Sequence, residues 1–192
     1  TASISAFYKF LRRKKIIKEN PMEFIARPKK GLPVTVQTFL TKEQYELMRE
    51  KLQECGDLQL QTFGMFAIST MARVNAIANI TWEQINFNER VVDDVLEKEG
   101  KIVTLYFSEE VSKLLQQLKQ QRKDDNINCE YVFITKYEGT YDGVAVSTLN
   151  KWTRKIGEMI GVSSLHPHDF RHSGSQLLKL SGMPIEDISE LL

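Results

Sequence analysis

Cysteine is scarce in this 192-residue chain, which has only Cys55 and Cys129. Two such thiols make no disulfide framework and match no metal-ligand spacing, a usage that fits a reducing compartment. No uninterrupted apolar run approaches the ~18 residues a membrane span needs, and the N-terminal stretch does not read as a signal peptide. With five prolines and ten glycines, collagen-like and low-complexity classes are excluded as well. What remains is ordinary globular composition, 42% hydrophobic and 27% charged, on a chain long enough to bury a real core without staples. The expected location is the cytoplasm.

The net charge of +1 conceals an asymmetry. Residues 9–30 carry nine Lys/Arg against Glu19 and Glu23, or +7, while 17 basic residues face 23 acidic ones from residue 31 onward, or −6. Arg12, Arg13, Lys14, Lys15, Lys29 and Lys30 belong to the basic stretch. Such a division suggests a nucleic-acid or membrane contact near one end, or else a solvated helix end where cations suit the macrodipole.

Periodicity predicts a mainly helical α+β chain. Ile4, Phe7 and Leu11 mark a first helix that Asn20-Pro21 should end. It begins at once, as in a chain cut from a longer one. Residues 21–38 read as an extended linker. Thr41 with Gln44 forms a capping box, with Leu40 and Tyr45 as a hydrophobic staple, for a helix running to about Cys55. Leu58 to Met71 is a strongly apolar helix, followed by a short helical segment near Ile77. Val91–Leu96 and Lys101–Phe107 flank Lys98-Glu99-Gly100 as a β-hairpin. Val111, Leu114, Leu115 and Leu118 fall on one helix face. Tyr131–Ile134 reads as a short strand, and Leu149, Trp152, Ile156 and Met159 as a helix ended by Gly161. Pro167 opens a helix to Leu180, and Pro184 starts another.

All three histidines lie in His166-Pro167-His168-Asp169-Phe170-Arg171-His172. On a helix, His168, Arg171 and His172 share a face while Phe170 points to the core. Three roles are open for this cluster. His168 and His172 could be zinc ligands at i, i+4, although a third ligand is lacking and Arg171 would repel a cation. Arg171 could clamp a phosphate through two parallel hydrogen bonds, with His168 as its acid/base neighbour. The cluster could also be a structural network at a helix start. Trp82 and Trp152 read as core anchors, His172 as a helix-face partner and His166 as exposed.

His168-Asp169-Phe170-Arg171-His172 resembles the His-x-x-Arg motif of the tyrosine recombinases, the phage-integrase group. Three other segments fall in that family's order. Ser69-Thr70-Met71-Ala72-Arg73-Val74, followed by Ile80-Thr81-Trp82-Glu83-Gln84-Ile85, resembles the segment of the first catalytic arginine. The hairpin with Lys98 and Lys101 resembles the family's lysine hairpin. Ser181-Gly182-Met183-Pro184 through Leu192 resembles the helix after the second arginine. The resemblance implies a tyrosine-recombinase catalytic fold with a small antiparallel sheet over residues 36–192. It implies that residues 1–35 are the last helix and linker of a preceding core-binding domain.

The implied activity is site-specific cutting and rejoining of double-stranded DNA through a 3′-phosphotyrosyl intermediate, by a tetramer on its DNA site. The implied catalytic residues are Arg73, His168, Arg171 and Lys98, which as a turn lysine can swing towards a phosphate, with Lys101 as the alternative. No metal or other cofactor and no membrane is implied, and the working place is the nucleoid. Alternatives are a non-catalytic DNA-binding regulator and a type IB topoisomerase-like enzyme. The chain departs from the family pattern at two places. The acidic residue usual three positions after the first arginine is here Ala76. The family's late His/Trp and nucleophilic tyrosine, which follow the second arginine, have no counterpart up to Leu192, so the C-terminal tail is expected to be missing and the chain as given inactive in strand cleavage.

Overall fold

The computed structural model describes residues 2–25, 39–97 and 100–191. Contacts divide the chain into two compact units, residues 1–36 and 37–192. The first holds α1 (Ala2–Arg13) and a 3-10 turn (Pro21–Glu23) that Asn20 caps by accepting from the Met22 amide at 3.0 Å. The first helix therefore stops seven residues short of Asn20, because Lys15 adopts a left-handed φ of 58° and ends the hydrogen-bond ladder. Most of the expected linker lies outside the described residues.

The second unit opens with α2 (Lys42–Glu54), whose capping box is formed in full: the Gln44 amide donates to Thr41 Oγ1 and the Thr41 amide to Gln44 Oε1. Asp57 caps α3 (Leu58–Thr70) through the Leu60 amide. This helix is apolar almost all round, so it can only sit inside. Its Phe63 ring meets Phe133, Trp152 and Phe170 edge-on, with centroids 5.6–6.1 Å apart. Around it pack α5 (Glu109–Asp124), α6 (Val146–Met159) and α7 (Pro167–Leu180), with the short α4 (Val74–Ala78) following α3 and α8 (Ile185–Glu190) following α7. Both tryptophans pack against the core as expected, partly buried. Among the described residues no helix is long and apolar enough to cross a membrane.

The expected hairpin is present and gains a strand. β1 (Ile85–Asn86), β2 (Val91–Leu96) and β3 (Ile102–Tyr106) form an antiparallel sheet in that order. Val92 pairs with Leu105 but Val95 pairs with Val103, so β2 carries one extra residue in a bulge, with Asp94 at φ 53°. The strand expected at Tyr131–Ile134 is displaced. Tyr131 makes only an isolated bridge to Thr81, and β4 (Ile134–Tyr137) instead pairs with β5 (Thr140–Gly143). Glu138 and Gly139, both at positive φ, make the two-residue turn whose twist suits a tight hairpin.

Candidate active site

Two breaks in helical continuity build the site. At the end of α3, buried Met71 takes a left-handed conformation, φ 53° and ψ 22°, and turns the chain away. Arg73 then stands at the N-cap of α4, where its guanidinium, having only donors, cannot cap the free amides and so turns to acceptors elsewhere. The second break precedes α7, where the His166 amide donates to Asp169 Oδ2 at 2.7 Å and Pro167 pre-sets the first turn. Asp169 is thereby committed to the helix start. Phe170 enters the core, and Arg171 emerges one position later towards Met71.

The docking of α7 on α3 is close. A Cβ at Gly174 would fall inside contact distance of the Ile68 carbonyl oxygen and Met71 Cγ, so only glycine lets the helices approach this far. Buried Ser173 fixes the same turn, donating to the Asp169 carbonyl at 2.6 Å and accepting from the Leu40 amide at 2.8 Å. Arg171, its side chain 11% exposed, donates from Nη1 to the Met71 carbonyl at 2.7 Å. Burial, and then the charge of Arg73, pull its pKa below the usual arginine value.

The result is a cleft of about 390 Å³ lined by Ala72, Arg73, Asn79, Glu97, His168 and Arg171 among others. Arg73, His168 and Arg171, separated by up to 98 positions in sequence, thus share one wall system. His168 is exposed on the first turn of α7, and its ring meets that of His172 edge-on at 4.5 Å. No group of three or more His, Cys, Asp or Glu that could hold a metal ion occurs among the described residues.

Sequence reading missed Glu97. Its side chain is only 2% exposed, it is ion-paired to Arg73, and its Oε1 lies 3.9 Å from Arg171 Nη1. The available signal was an acidic residue two positions after the inward-facing Val95, a phase that the bulge sets. Ala76, at the position where the resemblance would put an acid, is buried in the cleft wall.

Lys98 lies outside the described residues. Lys101 is exposed at the start of the returning strand, its carbonyl accepting from the Glu97 amide at 2.8 Å, and it is not part of the cleft lining. In the first unit Arg12 is exposed and paired with Glu23 at 2.6 Å, and Lys14 lies over the Phe10 ring. Arg13 and Lys15 are exposed too, while Lys29 and Lys30 lie outside the described residues. None of the six tyrosines lines the cleft.

Two guanidiniums, one nearly buried and one half-exposed, that face one cleft could in chemical terms grip an oxyanion, since each planar fork can hold two acceptors. Comparison with known proteins gives the family and the fold. A sequence model described as the phage integrase family matches residues 38–192. The tyrosine recombinase XerC of Pediococcus pentosaceus is 26% identical over 205 residues, an alignment covering all of this chain and 64% of the relative. The chain thus spans a little under two thirds of that relative's length. Among solved structures, the XerA recombinase superposes with a TM-score of 0.70 at 18% identity, covering 98% of this chain and 64% of that one. A lambda integrase tetramer bound to a Holliday junction gives 0.69 at 14% identity, covering all of this chain and 54% of that one.

Proposed function

Because the chain belongs to the phage integrase family, we propose that it is the catalytic region of a site-specific tyrosine recombinase acting on duplex DNA through a 3′-phosphotyrosyl intermediate. The observation that carries this reading is the convergence of Arg73 and Arg171 on one cleft, with exposed His168 in its lining. When a tyrosine oxygen attacks the scissile phosphorus, charge gathers on the two non-bridging oxygens. Rigid guanidinium forks stabilise it without reorganisation. The P–O5′ bond breaks and the departing 5′-oxygen takes a proton from Lys98, or from Lys101 if the turn lysine does not reach. His168 hydrogen-bonds the phosphate or accepts the proton of the tyrosine. The bond energy is kept in the phosphotyrosine and returned on religation.

Residues 1–35 are in this reading the end of a preceding DNA-binding domain, and its basic side chains Arg12, Arg13, Lys14, Lys15, Lys29 and Lys30 contact phosphates. By likeness to the integrase tetramer on its junction, four copies assemble on the DNA, in the nucleoid of a bacterial-type cytoplasm. The charge division makes the first part testable. The −6 remainder attracts DNA poorly at long range, so deleting residues 1–30 should flatten the dependence of log affinity on log salt. An unchanged slope in fluorescence-anisotropy titrations shows the basic segment to be a solvated helix end.

The test of the reaction is a denaturing gel of protein incubated with end-labelled, nicked duplexes drawn from DNA flanking its gene. None of the six tyrosines follows Arg171, so the 192-residue chain alone should yield no covalent adduct. The same chain joined to a tyrosine-bearing C-terminal segment should yield one. Failure of the joined protein, or an adduct on Tyr8, Tyr45, Tyr106, Tyr131, Tyr137 or Tyr141, overturns the reading.

A further inference from the structure

We propose that Glu97 is the residue that positions Arg73 for the phosphate. This deepens the reading of the cleft given above and rests on it.

The two guanidiniums are not held alike. Arg171 is nearly buried and anchored to the Met71 carbonyl. Arg73 has a side chain 44% exposed, leaves the backbone at a helix N-cap and makes no capping bond there. Its place in the cleft depends on its ion pair with Glu97. Like charges side by side repel, and burial strengthens the repulsion because less water screens it. The carboxylate between them, in ion-pair contact with one and 3.9 Å from the other, offsets that repulsion. Conversely, a carboxylate this buried is costly unless paired, so its presence here requires the two arginines.

The support comes from an unusual direction. Position 76, one helical turn after Arg73 and in the cleft wall, is Ala and can offer no charge. The carboxylate arrives instead from the sheet, at the end of β2. The Glu97 amide donates to the Lys101 carbonyl at 2.8 Å, joining the two strands at the base of the turn. Arg73 is therefore held from the end of β2, where Glu97 is tied in turn to Lys101 at the start of the returning strand.

The experiment uses Glu97→Gln, which keeps the shape and removes the charge, and Glu97→Asp, which keeps the charge on a shorter stem. In the 192-residue chain, nitrogen-15 spectra of the arginine side chains read guanidinium rotation directly, without DNA. Wild-type Arg73 should show hindered rotation, Glu97→Gln should free it, and Glu97→Asp should restore part of the hindrance. Arg171, held by the Met71 carbonyl, should change little in either. Arg73 as hindered in Glu97→Gln as in wild type overturns the proposal. If melting curves show Glu97→Gln to be unfolded, Glu97→Asp decides alone, and undiminished hindrance there overturns it.

In the tyrosine-bearing protein saturated with duplex DNA, Glu97→Gln should cleave at least about tenfold more slowly than wild type, since a displacement of ~1 Å in a reacting group can cost a hundredfold. Glu97→Asp should recover part of the rate. Cleavage by Glu97→Gln at or above the wild-type rate overturns the proposal, as expected of a carboxylate that merely occupied the phosphate's place. Absence of cleavage in wild type would instead sink the recombinase reading and leave the spectroscopic result standing.

Discussion

Lysine in place of Arg171 should lower strand cleavage by the tyrosine-bearing protein about 10²–10³-fold, the usual cost of removing one fixed donor to a developing oxyanion. The charge survives this substitution; the geometry does not. Lysine is a point donor on a flexible stem and cannot hold two phosphate oxygens and the Met71 carbonyl together. Losing that carbonyl bond should cost about 1 kcal/mol of stability, visible as a small fall in melting temperature. Arg73→Lys should lose cleavage by a similar factor and also lower the melt slightly, because a lysine ammonium replaces the guanidinium that pairs with the buried Glu97 carboxylate. Single-turnover cleavage of a nicked suicide duplex separates the cases. Near-normal rates from both variants would falsify the assignment of the arginines to the phosphate.

Gly174→Ala should damage both the fold and the site. The added carbon would collide with the Ile68 carbonyl, which is backbone, and with Met71 Cγ, which is packed beneath it. Neither can retreat without shifting α3 or α7, and overpacking of this kind costs about 3 kcal/mol. For a unit of this size that corresponds to a fall of roughly 6–12 °C in melting temperature. The damage should extend to the site, because the same interface carries the Arg171–Met71 bond. A melt lowered by less than about 2 °C shows that the helices can part without consequence and that the close approach is incidental.

How much was legible beforehand follows from how local each cause is. The capping box of α2, the amphipathic face of α5 and the proline start of α7 are written within a few residues, and sequence reading found all three. The end of α1 was misjudged because Pro21 is a conspicuous breaker, whereas the left-handed Lys15 that stops the helix has no compositional mark. The hairpin of β4 and β5 was overlooked because Glu138-Gly139 is a less familiar turn pair than Asn-Gly.

Glu97 was hidden by phase. Strict alternation counted from buried Val92 puts Leu96 inside and Glu97 outside, whereas the bulge at Asp93-Asp94 reverses this and leaves Leu96 exposed. Aspartate tolerates the left-handed conformation the bulge uses, but two aspartates in a strand do not by themselves announce one. The arginines were recognised from motifs. Their convergence depends on the tertiary docking of α7 and could not be read from spacing.

The bond from Arg171 to the Met71 carbonyl spans 100 positions, and that length has a thermodynamic consequence. The anion grip exists only while α7 is docked on α3, so opening of that interface and loss of affinity are one event. By linkage, any polyanion that prefers the docked form must stabilise it in return, by RT ln(1 + [L]/Kd). A polyanion gripped there would thereby help to hold α7 on α3. Folding and anion binding thus share one equilibrium, in which Glu97 offsets part of the repulsion between the two arginines in the free protein and a bound anion would offset more of it.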